Sequence, residues 1–151
     1  MLTTTEARAR ILAAVRPLPG ETVPLSATLG RVLMTGAIAE RDQPPFDRVM
    51  MDGIALRFSE YDALERSFPI QGTQMAGDAP LTLEAGHCIE IMTGAVLPEG
   101  ADLVIPVEQI TVNDGAAHVQ ANYMAEPRQF IHPRGSDYHK GKELLRPGTR
   151  I

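Results

Sequence analysis

Pro44-Pro45-Phe46-Asp47-Arg48-Val49-Met50-Met51-Asp52-Gly53-Ile54-Ala55 is the stretch on which the reading of this chain turns. Two prolines fix φ and remove two amide donors, so neither a helix interior nor a regular ladder runs through them. Two carboxylates follow, Asp47 and Asp52, and a glycine comes directly after the second. Asp-Gly marks a tight turn or a close backbone approach, and the apolar run behind it predicts a strand over 54–57. Asp52 is then expected at the mouth of a strand, where its charge stays solvated or meets a ligand. For an isolated Asp-Gly, a surface Asx-turn is the better reading.

Upstream of that stretch the signal is helical. Thr3-Thr4-Thr5-Glu6 is a capping-box start, and Ala7, Ile11, Ala14 and Val15 then share one helical face until Pro17. Ser26 reads as a second N-cap, with Leu29, Val32 and Leu33 at helical spacing, which predicts another short helix to about residue 34. Gly30 inside it works against that reading. Two helices this small cannot enclose a core, so their apolar faces need the β part of this chain or a partner subunit.

Downstream the signal is strand and turn. Extended segments are expected over 68–72, 87–92, 103–112, 117–121 and 129–131, with a polar, irregular stretch over 58–67 that has room for a helical turn. Within 87–92, Cys88, Glu90 and Met92 fall on one face and Ile89 and Ile91 on the other. Asn113-Asp114-Gly115 between two apolar runs is a strong hairpin signal. Pro106 interrupts the first of those runs, which places it at a sheet edge or a bulge. Short strands with hairpin turns and no βαβ alternation give a mainly β, α+β fold: N-terminal helices and a small antiparallel or irregular β-domain.

Composition excludes several classes. The chain has 151 residues, 13 glycines, 12 prolines and no tryptophan, with an ordinary apolar and charged content for a globular domain. A net charge of −5 argues against nucleic acid as a partner. No apolar run approaches membrane-spanning length and no secretory leader opens the chain, so a cytoplasmic protein with no membrane partner is expected. The lone Cys88 fits a reducing compartment and a half-buried packing role rather than a nucleophile. Charge is uneven: residues 128–151 carry 6 basic and 2 acidic side chains, against 8 and 17 before them. That basic segment suits an anionic ligand or pairs with the acidic remainder.

The opening stretch resembles the P-P-F-D-N-S-A-M-D-G-Y-A-V segment of the MoeA–gephyrin family, the molybdopterin molybdenumtransferases. Ile91-Met92-Thr93-Gly94-Ala95-Val96-Leu97-Pro98-Glu99-Gly100-Ala101-Asp102 is similar to that family's I-M-T-G-A-P-L-P-E-G-A-D. Arg134-Gly135-Ser136-Asp137, with Gly141 after it, resembles its R-G-E-D-x-x-x-G. Three motifs in the family's order make a specific signal where one would be weak. The departures are Arg48-Val49-Met50 for N-S-A, Ile54 for Tyr and Ser136 for Glu.

The resemblance implies a dimerisation segment over 1–38 and 141–151, a β-domain over 39–140 inserted in it, and a homodimer. It implies that Asp52, Asp137 and Thr93 act at the catalytic site, that Gly53, Gly94 and Arg134 contact substrate, and that Asp52 and Asp137 hold Mg²⁺ or Zn²⁺. Molybdate and adenylylated molybdopterin would be the substrates. The family's pterin-binding α/β domain has no counterpart in this sequence and is expected in cis or in trans, leaving these 151 residues inactive alone. A non-catalytic dimerising scaffold of the same fold is the alternative. His132, Asp137 and His139 match no common zinc spacing.

Overall fold

A computed structural model describes residues 2–16, 18–62 and 66–151. The chain divides into two compact units, Met1–Ala37 with Glu143–Ile151, and Ile38–Lys142.

In the first unit, α1 spans Thr4–Ala14, and both halves of its capping box form: the Glu6 amide donates to Thr3 Oγ1 and the Thr3 amide to Glu6 Oε2 at 2.8 Å. Pro17, the expected stop, lies outside the described residues. The second expected helix does not form. Only a 3-10 turn at Leu25–Ala27 occurs, because Gly30 takes φ +79° and the backbone beyond it pairs with the far end of the chain. The Gly30 amide donates to the Ile151 carbonyl and the Leu33 amide to that of Thr149, beside an antiparallel bridge between Val32 and Arg150. Those partners lie more than a hundred residues away in sequence, so local spacing could not reveal them. Strands β1 (Ala37–Ile38) and β10 (Glu143–Leu145) pair as a two-stranded ribbon.

Among the described residues, the second unit carries ten of the twelve α-helices and β-strands, wholly or in part, and every buried core side chain. Besides β1 it holds β2 (Arg48–Val49), β3 (Gly53–Leu56), α2 (Phe58–Asp62), β4 (Ser67–Gln74) and β5 (Cys88–Ile91). Then come β6 (Leu103–Pro106), β7 (Ile110–Asn113), β8 (Ala116–Val119) and β9 (Ile131–His132). Six of them form one sheet in the order β6-β3-β5-β4-β8-β7. Its ladders are antiparallel except β4–β5, which is parallel and joined by a loop rather than a helix.

The hairpin forms as expected, with Asn113 opposite Ala116 and both turn residues at positive φ. The run expected over 103–112 is two strands. Pro106 ends β6 at one sheet edge, and a 3-10 turn at Val107–Gln109 carries the chain toward β7 at the other. The helical turn allowed for within 58–67 is α2, and residues 63–65 of that stretch lie outside the described residues.

Both faces of the sheet are covered. Ala55, Ile89, Ile91 and Val104 pack on one side with Val49 of β2 and Ile131 of β9. Ile54, Leu56, Phe68, Cys88, Leu103 and Ile105 pack on the other. Hence Cys88, expected to be half-buried, is fully buried: β5 lies inside the sheet with a core on each side. Burial, and then the nearby Glu90 charge, push its thiol up to about 12, so it stays protonated.

Candidate functional site

The site begins where β2 and β3 flank the loop that follows β5. The Val49 amide donates to the Ala95 carbonyl at 3.0 Å, and the Gly94 amide donates back to the Val49 carbonyl at 2.9 Å. That places Thr93 next to the Met51-Asp52 turn. Asp52 Oδ1 accepts from the Thr93 amide at 2.7 Å and from Thr93 Oγ1 at 2.6 Å. The hydroxyl bond first, then the amide bond, holds the Asp52 carboxyl below the usual carboxylate range, so it is ionised at neutral pH. Its second oxygen accepts no hydrogen bond among the described residues.

Gly53 has a packing reason. A Cβ there would overlap the carbonyl oxygen of Ile105, because β6 runs against β3 in register with Gly53 opposite Pro106. The close approach read from Asp-Gly is therefore made to a neighbouring strand. Gly94 stands in the loop beside Thr93, where its amide ties that loop to β2.

The third motif is strapped to the first. The Gly135 amide donates to the Pro44 carbonyl and the Asp137 amide to that of Gln43, each at 2.9 Å, across a cis Gln43–Pro44 peptide. Arg134 donates its amide to Asp47 Oδ1 and its Nε to Asp42 Oδ2, each at 2.8 Å. Arg128 reaches the other oxygen of Asp47 at 2.6 Å. The Arg134 amide bond, with Arg128 adding to it, holds Asp47 below its ordinary value; the Lys140 amide, then Arg134, do the same for Asp42. Much of the basic charge after residue 127 is thus spent on acidic partners within the chain.

Asp137 is engaged elsewhere. Its Oδ1 lies 2.8 Å from His132 Nε2, and no hydrogen bond joins it to Asp52 or Thr93 among the described residues. The structure therefore brings Asp52 and Thr93 into contact, and leaves Asp137 and Arg134 in a neighbouring network linked to them through the β2–β9 pair. His139 faces Asp42, not His132. Among the described residues no three His, Cys, Asp or Glu converge as cation ligands.

Two contributors escaped the sequence reading. Gln74, buried at the end of β4, donates to the Val96 carbonyl at 2.6 Å and accepts from the Leu81 amide at 2.7 Å, which fixes the loop carrying Thr93. Glu90 stands on an interior strand, directly opposite Ile54 of β3. With Asp52 it edges a cleft of about 190 Å³ whose walls are aliphatic, including Ile70, Ile110 and Val112. Glu90 shared a face with Cys88 and Met92 in the alternating pattern, which was the available signal.

A family model described as the MoeA N-terminal region, domains I and II, matches residues 2–151. The chain belongs to that family. It is 41% identical over 131 residues to a molybdopterin molybdenumtransferase of Synechocystis, covering 86% of this chain and 34% of the relative. A molybdopterin molybdenumtransferase of Haemophilus influenzae is 32% identical, covering 100% of this chain and 37% of the relative. The crystal structure of a molybdopterin biosynthesis MoeA protein from Pyrococcus horikoshii superposes with a TM-score of 0.82 at 30% identity, over 100% of this chain and 40% of that one. The chain thus spans little more than a third of the length of these relatives.

Within that family, the departures from the motif separate by burial. Val49 and Ile54 are buried and serve the two cores. Arg48 sits opposite His132 in the β2–β9 pair, and Met50 is exposed.

Proposed function

We propose that this chain is the N-terminal and linker portion of a molybdopterin molybdenumtransferase, acting in molybdenum cofactor biosynthesis. It forms one wall of the site where molybdate enters adenylylated molybdopterin, and a second copy completes that site. The observation that carries this reading is the Asp52–Thr93 clasp: two motifs, 41 residues apart, meet through two short hydrogen bonds. They hold an ionised carboxylate with one oxygen open. A scaffold that had lost the reaction would have no need of that charge, so the clasp favours the catalytic reading.

The donor set limits what the chain itself offers a metal. Mg²⁺ takes one or two carboxylates alongside substrate phosphate oxygens and water, a mode to which the open oxygen of Asp52 can contribute. A Zn²⁺ cage of three or four protein ligands has no counterpart among the described residues. What these residues do is hold charge in place: Thr93 orients the Asp52 carboxylate, and Gln74 fixes the loop that carries Thr93.

Homodimerisation through the first unit belongs to the same proposal. None of its described side chains is buried, and Leu25 and Leu29 are each 87% exposed. An isolated 11-residue helix is marginal in water, so α1 needs tertiary contact to persist.

The test is a chimera in which this chain replaces the first third of the Synechocystis relative, expressed in cells lacking the transferase. Molybdoenzyme activity should return, and Asp52→Ala should remove it with the protein still folded. Full rescue by Asp52→Ala would overturn the reading. The 151 residues alone should show no turnover.

A further inference from the structure

Asp47 belongs to the first motif and binds both of the others. Its carbonyl accepts from the Leu97 amide of the second motif at 2.8 Å. Its Oδ1 accepts from the Arg134 amide, where the third motif begins, at 2.8 Å. Its Oδ2 takes the Arg128 guanidinium at 2.6 Å. The Arg128 amide in turn donates to the carbonyl of Asp102, the last residue of the second motif, at 2.8 Å. Both carboxylate oxygens of Asp47 are thus taken up within the chain, whereas Asp52 keeps one open.

What Asp47 holds has few other restraints. Arg128 and Phe130 stand at φ +59° and +55°, in the left-handed region that residues with a Cβ rarely occupy. β9 comes next and is two residues long, paired to β2 only through His132 with Arg48 and Ile131 with Val49. Beyond it, the Gly135 and Asp137 amides bond to main-chain carbonyls. Asp42 takes the Arg134 side chain and the Lys140 amide. Asp47 takes the Arg134 main chain itself, three residues before Asp137. Its carboxylate is therefore the side-chain group of the first motif that fixes the backbone on which Asp137 rides.

We propose that Asp47 is a positioning residue: its carboxylate sets the third motif, with Asp137, at its distance from the clasp of Asp52 and Thr93, and touches no substrate. The proposal rests on the molybdenumtransferase reading, in which both halves face the reacting atoms. Misplacing such a group by about 1 Å lowers a rate by about a hundredfold, while binding carried elsewhere persists.

The test compares Asp47→Ala, Asp47→Asn and wild type in the chimera with the Synechocystis relative, following turnover against molybdate concentration. Asp47→Ala should lower kcat by about tenfold to a hundredfold and leave KM within about twofold. Asp47→Asn keeps an acceptor for the Arg134 amide and gives up only the charge facing Arg128. Its kcat should fall by no more than about fivefold. An unchanged kcat per folded molecule in Asp47→Ala, a loss confined to KM, or an equal loss in Asp47→Asn would each overturn the proposal. A second measurement needs no turnover. In the 151-residue protein, Asp47→Ala should speed amide exchange at residues 134–137 by about tenfold or more and leave β3 and β5 unchanged, with Asp47→Asn close to wild type. Wild-type exchange at 134–137, or a rise shared equally by the sheet, would reject Asp47 as the group that places the third motif. An inactive wild-type chimera would remove the molybdenumtransferase reading, and the exchange pattern would still decide whether Asp47 sets the third motif.

Discussion

The two units obtain their stability in different ways. Residues Ile38–Lys142 bury apolar side chains on both faces of a six-stranded sheet, so that β3, from Gly53 to Leu56, is buried at every position. The first unit buries none of its described side chains, although α1 is well capped and leucine, valine and methionine are plentiful on its surface. A cap and a helical spacing decide that a helix starts. Whether its apolar face is covered depends on surfaces that local sequence does not encode. The contrast is between a unit finished by its own core and one that needs a second surface.

Substitutions should expose that contrast most strongly in the sheet. Phe68→Ala removes a fully buried ring and should destabilise the second unit by about 3–5 kcal/mol in urea unfolding. Leu25→Ala, at a fully exposed site, should stay within about 0.5 kcal/mol in the same assay while weakening self-association. Equal effects at the two positions would break the comparison.

The next effect in size falls on the loop that carries Thr93. Gln74→Leu leaves the Val96 carbonyl and the Leu81 amide without their partner inside the core, a loss of about 1–3 kcal/mol. Faster amide exchange at residues 93–97 should accompany it. A drop in stability with unchanged exchange there would separate Gln74 from the site.

Acid should act mainly through the second unit. Asp42 and Asp47 have folded pKa values held below their ordinary ones, Asp42 by the Lys140 amide and then Arg134, Asp47 by the Arg134 amide and then Arg128. Depressed carboxylates contribute stability above the unfolded value, near about 4, and lose it as pH falls through the folded value. The segment around residues 128–140 should therefore loosen below about pH 4. Asp42→Asn should flatten that acid limb. The smallest effect concerns Cys88: with its thiol pushed up to about 12, it should react with a thiol reagent at neutral pH only after unfolding.

What the sequence could and could not reveal follows from the range of the interactions. The capping box at Thr3–Glu6 and the Asn113-Asp114-Gly115 hairpin are settled within a few residues, and both formed. The expected helix after Ser26 failed because Gly30 and the far-off Thr149 and Ile151 won the backbone. The parallel β4–β5 ladder, the split at Pro106 and the double-sided burial of Cys88 depend on sheet order, which no local period carries. At the site, Asp52 and Thr93 were singled out by motif and meet. Glu90 was passed over because a polar residue in a strand reads as a solvent face until its neighbours are known, and Gln74 because the segment read over 68–72 stopped short of it, whereas β4 runs to Gln74. Asp137 was singled out as well, and its partner is His132.

Sedimentation equilibrium of the 151-residue chain, alongside a Leu25→Glu/Leu29→Glu variant, tests most directly whether the first unit is completed by a second copy. A wild-type species of twice the 16.4 kDa chain mass is expected, with a monomeric variant whose β-unit melts at the wild-type temperature. A wild-type chain that stays monomeric at a hundred micromolar, with α1 intact by circular dichroism, would contradict it.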